Sequence, residues 1–183
     1  MVRVKILACA AAAVLALGVL DGMMAAIVLS LAALVRRLAT PRVVALGRLG
    51  ESRDYVDLSR HPDAACPAGV AIWRPDQPLF FANAERILAV IAARTRALPN
   101  VHAVVVSLEE SFDLDSTALD ALIEFDASMR ASGVRLQFAR VHDHVRDLLA
   151  RADSTDFDAR SSYSVDDAVT AVQSLAGKPE TAP

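Results

Sequence analysis

The sequence predicts an α/β domain with a mainly parallel sheet and flanking helices, preceded by a short N-terminal transmembrane hairpin. Residues 6–35 contain a single charged residue, Asp21, whereas the chain after Arg36 mixes polar and apolar residues. In that second part, valine-rich runs typical of buried strands alternate with segments of helical periodicity. Each helix must return the chain to the same end of the sheet, so this alternation favours parallel strands.

The N-terminal segment consists of two apolar runs between basic flanks. Asp21-Gly22 separates the first run, residues 6–20, from the second, residues 23–35, which ends at Arg36-Arg37. As a helix, each run spans about 20 Å, against about 30 Å for the hydrocarbon core of a bilayer. The favoured interpretation of residues 1–38 is therefore a hairpin with its turn at Asp21-Gly22 and both basic flanks in the cytoplasm.

Two other interpretations of this segment stay open. A single tilted helix through Asp21 would bury a carboxylate, which costs several kcal/mol at the bilayer centre. A secretory signal peptide would use Ala16-Leu17-Gly18 as a poor cleavage site, and the second apolar run with its two arginines argues against export. The hairpin predicts a protein of the inner (cytoplasmic) membrane whose remaining domain lies in the cytoplasm.

The rest of the chain divides into a linker or sheet-edge segment (39–68), a folded domain (69–176) and a disordered tail (177–183). Asn83 occupies an N-cap position with Glu85 in the first helical turn, and Gly133 is placed to end a later helix. The predicted strands are 69–73, 101–108, 134–139 and 161–164; the predicted helices are 83–98, 119–132, 142–151 and 166–175.

The spacing of apolar residues predicts which side chains lie in the core. Ala84, Ile87, Leu88, Ile91, Thr95 and Leu98 share one face of the first predicted helix, and Leu119, Leu122, Ile123, Asp126 and Met129 share one face of the next. Trp73, Phe80 and Phe81 flank a strand, which favours the core over an exposed docking patch for a membrane domain or another partner.

Composition and motifs exclude several functions. A net charge of -3 argues against nucleic-acid binding, which needs a basic surface. Cys9 and Cys66 lie in the apolar segment and in the following part, so reduced thiols are expected. The sequence has no glycine-rich phosphate loop and no nucleophile motif, which predicts a protein that is not an enzyme and uses no cofactor.

Metal binding is also disfavoured. The acidic stretch with Glu109, Glu110, Asp113 and Asp115 follows a strand, where solvated surface is the ordinary role. His142 and His144 lack companions at a recognisable metal spacing, so surface positions at a helix start are expected.

Three stretches resemble the sulfate permease (SulP) family: residues 34–41, 78–86 and 113–118. The second contains Pro78, Phe80, Phe81 and Asn83 within the block Phe-Phe-Ala-Asn-Ala-Glu, which is the most specific of the three. The resemblance covers residues 4–176 and corresponds to the last two membrane helices and the cytoplasmic STAS domain of the family. It implies a STAS-like fold.

Family members hold their anion near the midplane of two inverted repeats, at the N-terminal ends of broken helices. Two short helices cannot enclose such a site. The resemblance therefore implies a regulatory or assembly domain that does not transport by itself. Its implied partners are the membrane, SulP transport-domain helices or another integral membrane protein, and a second STAS domain in a homodimer.

Asp115, Ser116 and Thr117 have two interpretations. STAS proteins that act as anti-anti-sigma factors carry an Asp-Ser-Ser/Thr-Gly loop whose first serine is phosphorylated, and Ser116 matches that position. Ala118 replaces the glycine, which favours the transporter branch. The simpler interpretation, which we favour, is that Ser116 or Asp115 caps the following helix, a role worth about 1 kcal/mol.

Overall fold

The computed structural model describes residues 19–38, 40–151 and 156–176. The chain divides into two compact units, one ending at Thr40 and the other beginning at Pro41. The second unit thus begins upstream of the predicted boundary at residue 69, because part of the 39–68 segment pairs with the sheet. The predicted tail, 177–183, lies outside the described residues.

The described part of the first unit is one helix, α1 (Val19–Leu38). Asp21 lies in its first turn, where a carboxylate interacts favourably with the helix N-terminus. The predicted turn at Asp21-Gly22 is wrong, because one glycine among good helix formers does not end a helix. The first apolar run lies almost entirely outside the described residues. Among those that are described, no helix is both long and apolar enough to cross a bilayer.

The described part of the second unit contains a six-stranded mixed sheet. The strands are β1 (Val43–Arg48), β2 (Tyr55–Asp57), β3 (Val70–Pro75), β4 (Ala103–Ser107), β5 (Arg135–Ala139) and β6 (Ser161–Ser162), in the order β2-β1-β3-β4-β5-β6. Strands β3 to β6 are parallel, whereas β1 is antiparallel to both β2 and β3. The parallel prediction is confirmed for β3 to β6 and corrected at the β1–β2 edge, where a short connection permits only antiparallel pairing.

Helices cover both faces of the sheet. They are α2 (Ala84–Ala97), α3 (Ser116–Ala131), α4 (Asp143–Arg151) and α5 (Val165–Ala176). Alternate residues of β3 point to opposite faces: Ala71 and Trp73 pack with α2, α3 and α4, and Val70 and Ile72 pack with α5. Every residue of β4 is buried, as predicted for a central strand.

The C-terminal ends of α3 and α2 differ in how they follow the sequence signals. Gly133 has φ +71°, and its N–H bonds the Arg130 carbonyl just beyond α3, as expected for a C-terminal glycine. Leu98 is 43% exposed, so its predicted place on the buried face is wrong. It follows α2 in an extended conformation, with ψ 135°, and has left the helical face.

A buried carboxylate lies on the inner face of α3. Asp126 is 3% exposed. Its oxygens accept hydrogen bonds from Arg160 Nη1 at 2.6 Å and Nη2 at 3.0 Å. Arg130 Nε lies 3.0 Å from Asp126 Oδ2, one helical turn away. Asp126 is thus a paired buried charge, which explains a carboxylate at an inward-facing position.

Candidate functional site

The SulP-like stretches at residues 78–86 and 113–118 begin in two loops that meet at one edge of the sheet. Residues 76–83, here called the β3 loop, join β3 to α2; residues 108–115, the β4 loop, join β4 to α3. Because β3 and β4 are parallel neighbours, their carboxyl ends lie side by side. This edge is where α/β sheets ordinarily place functional loops.

Asp115 joins the two loops. Its Oδ2 accepts a hydrogen bond of 2.7 Å from the backbone N–H of Phe81. Its Oδ1 accepts one of 2.8 Å from the N–H of Ala118, so Asp115 is the residue that caps α3. A second link runs from the N–H of Leu79 to Ser111 Oγ at 3.1 Å. These contacts hold the β3 loop against the start of α3.

The side chain of Asn83 forms hydrogen bonds with the backbone of the β3 loop. It occupies the N-cap position of α2, as predicted, but its side chain does not cap the helix. Instead Oδ1 accepts from the N–H of Phe80 at 3.0 Å, and Nδ2 donates to the carbonyl of Pro78 at 2.9 Å. Asn83 is 1% exposed, so these bonds are shielded from water. The family-like residues Pro78, Phe80 and Asn83 therefore define one rigid turn.

The two loops present aromatic side chains to solvent. Phe81 is 70% exposed and Phe112 is 65% exposed. The ring of Phe80 packs edge to face against that of Phe81, with 5.5 Å between the ring centroids. The centroids of the His142 and Phe112 rings are 4.7 Å apart. Core placement is thus confirmed for Trp73 and wrong for Phe81, whose backbone is held by Asp115 with the ring directed outward.

Ser116 and Thr117 lie in the exposed first turn of α3. Within the described parts of the chain, the Ser116 hydroxyl makes no hydrogen bond, so it is open to a modifying enzyme. The neighbouring Asp115 carboxylate already occupies one helix amide and would repel a phosphate. Phosphorylation of Ser116 stays a prediction.

The acidic and histidine side chains of this edge are spread among separate contacts. Glu109 Oε2 lies 3.9 Å from Arg74 Nη1, and Asp113 Oδ1 lies 3.4 Å from His144 Nε2. His142 Nε2 lies 3.0 Å from the carbonyl oxygen of Glu109. Across the described residues, no group of three such side chains is arranged to hold a metal ion.

Replacing Asp115 with alanine is expected to lower the free energy of unfolding by about 2 kcal/mol, since it removes a helix cap and a second hydrogen bond. Asp115→Asn should lose about half as much, because its single amide oxygen keeps one of the two acceptor roles. Urea titration followed by the fluorescence of Trp73, the only tryptophan, measures both. Asp113→Ala, in the same loop, is the control; a loss as large as that of Asp115→Ala would contradict the assignment.

Comparison with known proteins places this architecture in a family. The family model described as STAS domain matches residues 61–168. A probable sulfate transporter of Mycobacterium tuberculosis is 36% identical over 152 residues, which cover 79% of this chain and 26% of that protein. The chain therefore spans about a quarter of the length of this curated relative.

Solved structures agree on the fold. The murine solute carrier 26 family member A9 anion transporter, in its inward-facing state, matches with a TM-score of 0.75 and 20% identity over 84% of this chain and 25% of that one. The STAS domain of a SulP transporter from Vibrio cholerae matches with a TM-score of 0.51 and 18% identity over 66% and 94%. With the sheet order and the matched residues, these likenesses show that the chain belongs to the STAS domain family, with sulfate transporters of the SulP family among its homologues.

Proposed function

We propose that this chain is a regulatory or assembly module of a SulP-type anion transporter, held at the inner (cytoplasmic) membrane with its STAS domain in the cytoplasm. By itself it does not move anions. The observation that carries the proposal is Phe81: a large aromatic side chain, 70% exposed, on a loop whose backbone is fixed by hydrogen bonds with the side chains of Asn83 and Asp115. A rigid exposed aromatic is the kind of group that anchors protein interfaces at low entropic cost.

The charges around Phe81 and Phe112 favour a basic partner. Asp113 is exposed in the same loop as Phe112, and the partly exposed Glu110 precedes it. The cytoplasmic loops of membrane proteins carry an excess of lysine and arginine. Transport-domain helices that end at the cytoplasmic surface therefore offer both the apolar and the basic groups that this surface suits.

The membrane tether is supported by α1. Most of its described side chains are apolar and exposed in the isolated chain, where contact with lipid would be favourable. Residues 1–38 would form the membrane-inserted segment, and residues 69–176 the core of the cytoplasmic module. The exposed apolar residues are Leu20, Met23, Met24, Ile27, Val28, Leu29, Leu31, Leu34 and Val35.

A second candidate function is a phosphorylation-controlled interaction module of the anti-anti-sigma-factor type. The observation that favours it is the exposure of Ser116 at the N-terminus of α3, where backbone amides accommodate a phosphate. In this case a kinase would change the docking surface without any role for the N-terminal helix.

One pair of variants separates these functions. We expect deletion of residues 1–38 to release the protein from isolated membranes and end its co-purification with integral membrane proteins, because the exposed apolar surface of α1 is removed. Ser116→Ala should leave both properties within about twofold of the full chain, since a serine beside the Asp115 cap contributes little. Membrane sedimentation with immunoblotting measures the first property, and affinity purification from solubilised membranes measures the second.

The opposite pattern would reject the leading proposal. If Ser116→Ala abolishes partner binding while the deleted chain still binds, the phosphorylation-controlled module is correct. Thr117→Ala is the matched control, because Thr117 lies in the same exposed turn. Sulfate uptake by liposomes that contain this chain alone would refute the claim that it does not transport.

A further inference from the structure

A basic cleft lies between the C-terminal end of α3, the first residues of β5 and helix α5. Its volume is about 360 Å³. Three arginines from separate segments contribute to it: Arg130 from α3, Arg135 from β5 and Arg160 from the turn before β6. Gly133, Val134, Leu136, Gln137 and Val172 complete the wall, and none of the described residues that line it is acidic.

The charges in and beside the cleft do not balance. Asp126, behind the wall, pairs with Arg160 and Arg130. The side chain of Arg135 is exposed and makes no ion pair or hydrogen bond with any described residue. Among the described residues, Asp126 is the one carboxylate paired with any of these three arginines, and it pairs with two of them, so positive charge is in excess here. Like charges held close together are destabilising unless an anion joins them.

The arrangement also holds part of the site in position. Arg160 is fixed by both oxygens of Asp126, and its side chain is 20% exposed. Arg130 contacts Asp126 through Nε, and its side chain is 57% exposed, so it remains accessible to a ligand. A planar guanidinium group matches two oxygens of a tetrahedral oxyanion, which a halide does not offer.

We propose that this cleft binds a tetrahedral oxyanion of the phosphate class, either free in solution or carried by a lipid headgroup. Gln137 supplies an uncharged polar group beside the arginines, and Val172 gives the cleft an apolar side. The site lies at the amino end of β5, away from the β3 and β4 loops. Its occupation is therefore independent of the docking function proposed above.

Calorimetric titration of the full-length chain in detergent tests this site. The probes are inorganic phosphate and free inositol trisphosphate, at constant ionic strength with chloride as the reference anion. We expect binding of at least one probe, and Arg135→Gln should weaken it about tenfold, because a charge-assisted contact is lost. Arg86→Gln, which removes an exposed arginine from α2, should change the affinity by less than twofold.

The two probes distinguish the sources of the anion. Equal affinity for both indicates a site for free phosphate, and tighter binding of inositol trisphosphate by tenfold or more indicates a lipid headgroup. The proposal is overturned if neither probe binds. It is also overturned if Arg86→Gln weakens binding as much as Arg135→Gln, since net charge would then explain the effect.

Discussion

Asp126→Asn is expected to lower the free energy of unfolding by about 3 to 5 kcal/mol, the usual cost of removing one partner of a buried ion pair. Asp126 is 3% exposed and binds Arg160 through both oxygens. Asparagine has the same shape but one acceptor oxygen and no charge. The partly buried guanidinium of Arg160 would then lose the carboxylate that balances it.

Urea titration followed by Trp73 fluorescence measures this loss, because Trp73 is buried in the same core. Asp120→Asn, on the exposed side of α3, should change the stability by less than about 0.5 kcal/mol. A double variant with Arg160→Met should recover part of the loss, since the unbalanced cation is removed as well. A cost below about 1 kcal/mol for Asp126→Asn alone would show that the ion pair does not support the fold.

Phe81→Ser is expected to weaken binding to a SulP transport domain by about 2 kcal/mol or more, which is roughly thirtyfold in affinity. The ring is 70% exposed before binding, and its burial at an interface would remove a large apolar area from water. The backbone N–H of residue 81 still bonds to Asp115 in the variant. The stability of the isolated chain should therefore change by less than about 0.5 kcal/mol.

The binding partner for this measurement can be found by sequencing the DNA immediately upstream. A reading frame that encodes about a dozen apolar helices would supply the transport domain; otherwise the transport domain of the mycobacterial relative serves. Leu98→Ser is the matched control, because Leu98 is an exposed apolar residue just beyond the other end of α2. Equal losses for the two variants would mean that binding depends on general surface hydrophobicity.

The elements that the sequence predicts well are those with a strong local signal. The valines of β4 form an apolar run that only a strand buried on both faces explains, and α2 and α3 repeat their apolar residues at helical spacing. Strands β1 and β2 carry a weaker pattern, because β2 is the edge strand and most residues of both strands are only partly buried. Their pairing depends on contacts with β3 that no local pattern contains.

The candidate site likewise has features that the sequence predicts and features that it does not. Parallel topology predicts that the β3 and β4 loops share an edge, and the capping role of Asp115 follows from its residue type and position. The bond from Phe81 to Asp115 joins residues 34 positions apart, and so does the pairing of Arg160 with Asp126. Such pairs are set by tertiary packing. Two adjacent phenylalanines likewise do not reveal which ring points outward.

Site-specific photocrosslinking in membranes that contain both this chain and a SulP transport domain tests the proposed docking surface most directly. A photoreactive amino acid replaces Phe81 in one sample and Thr170, exposed on α5, in another. We predict a covalent adduct with the cytoplasmic ends of the transport-domain helices from position 81 and none from position 170. An adduct from position 170 alone, or equal yields from both positions, would contradict the account.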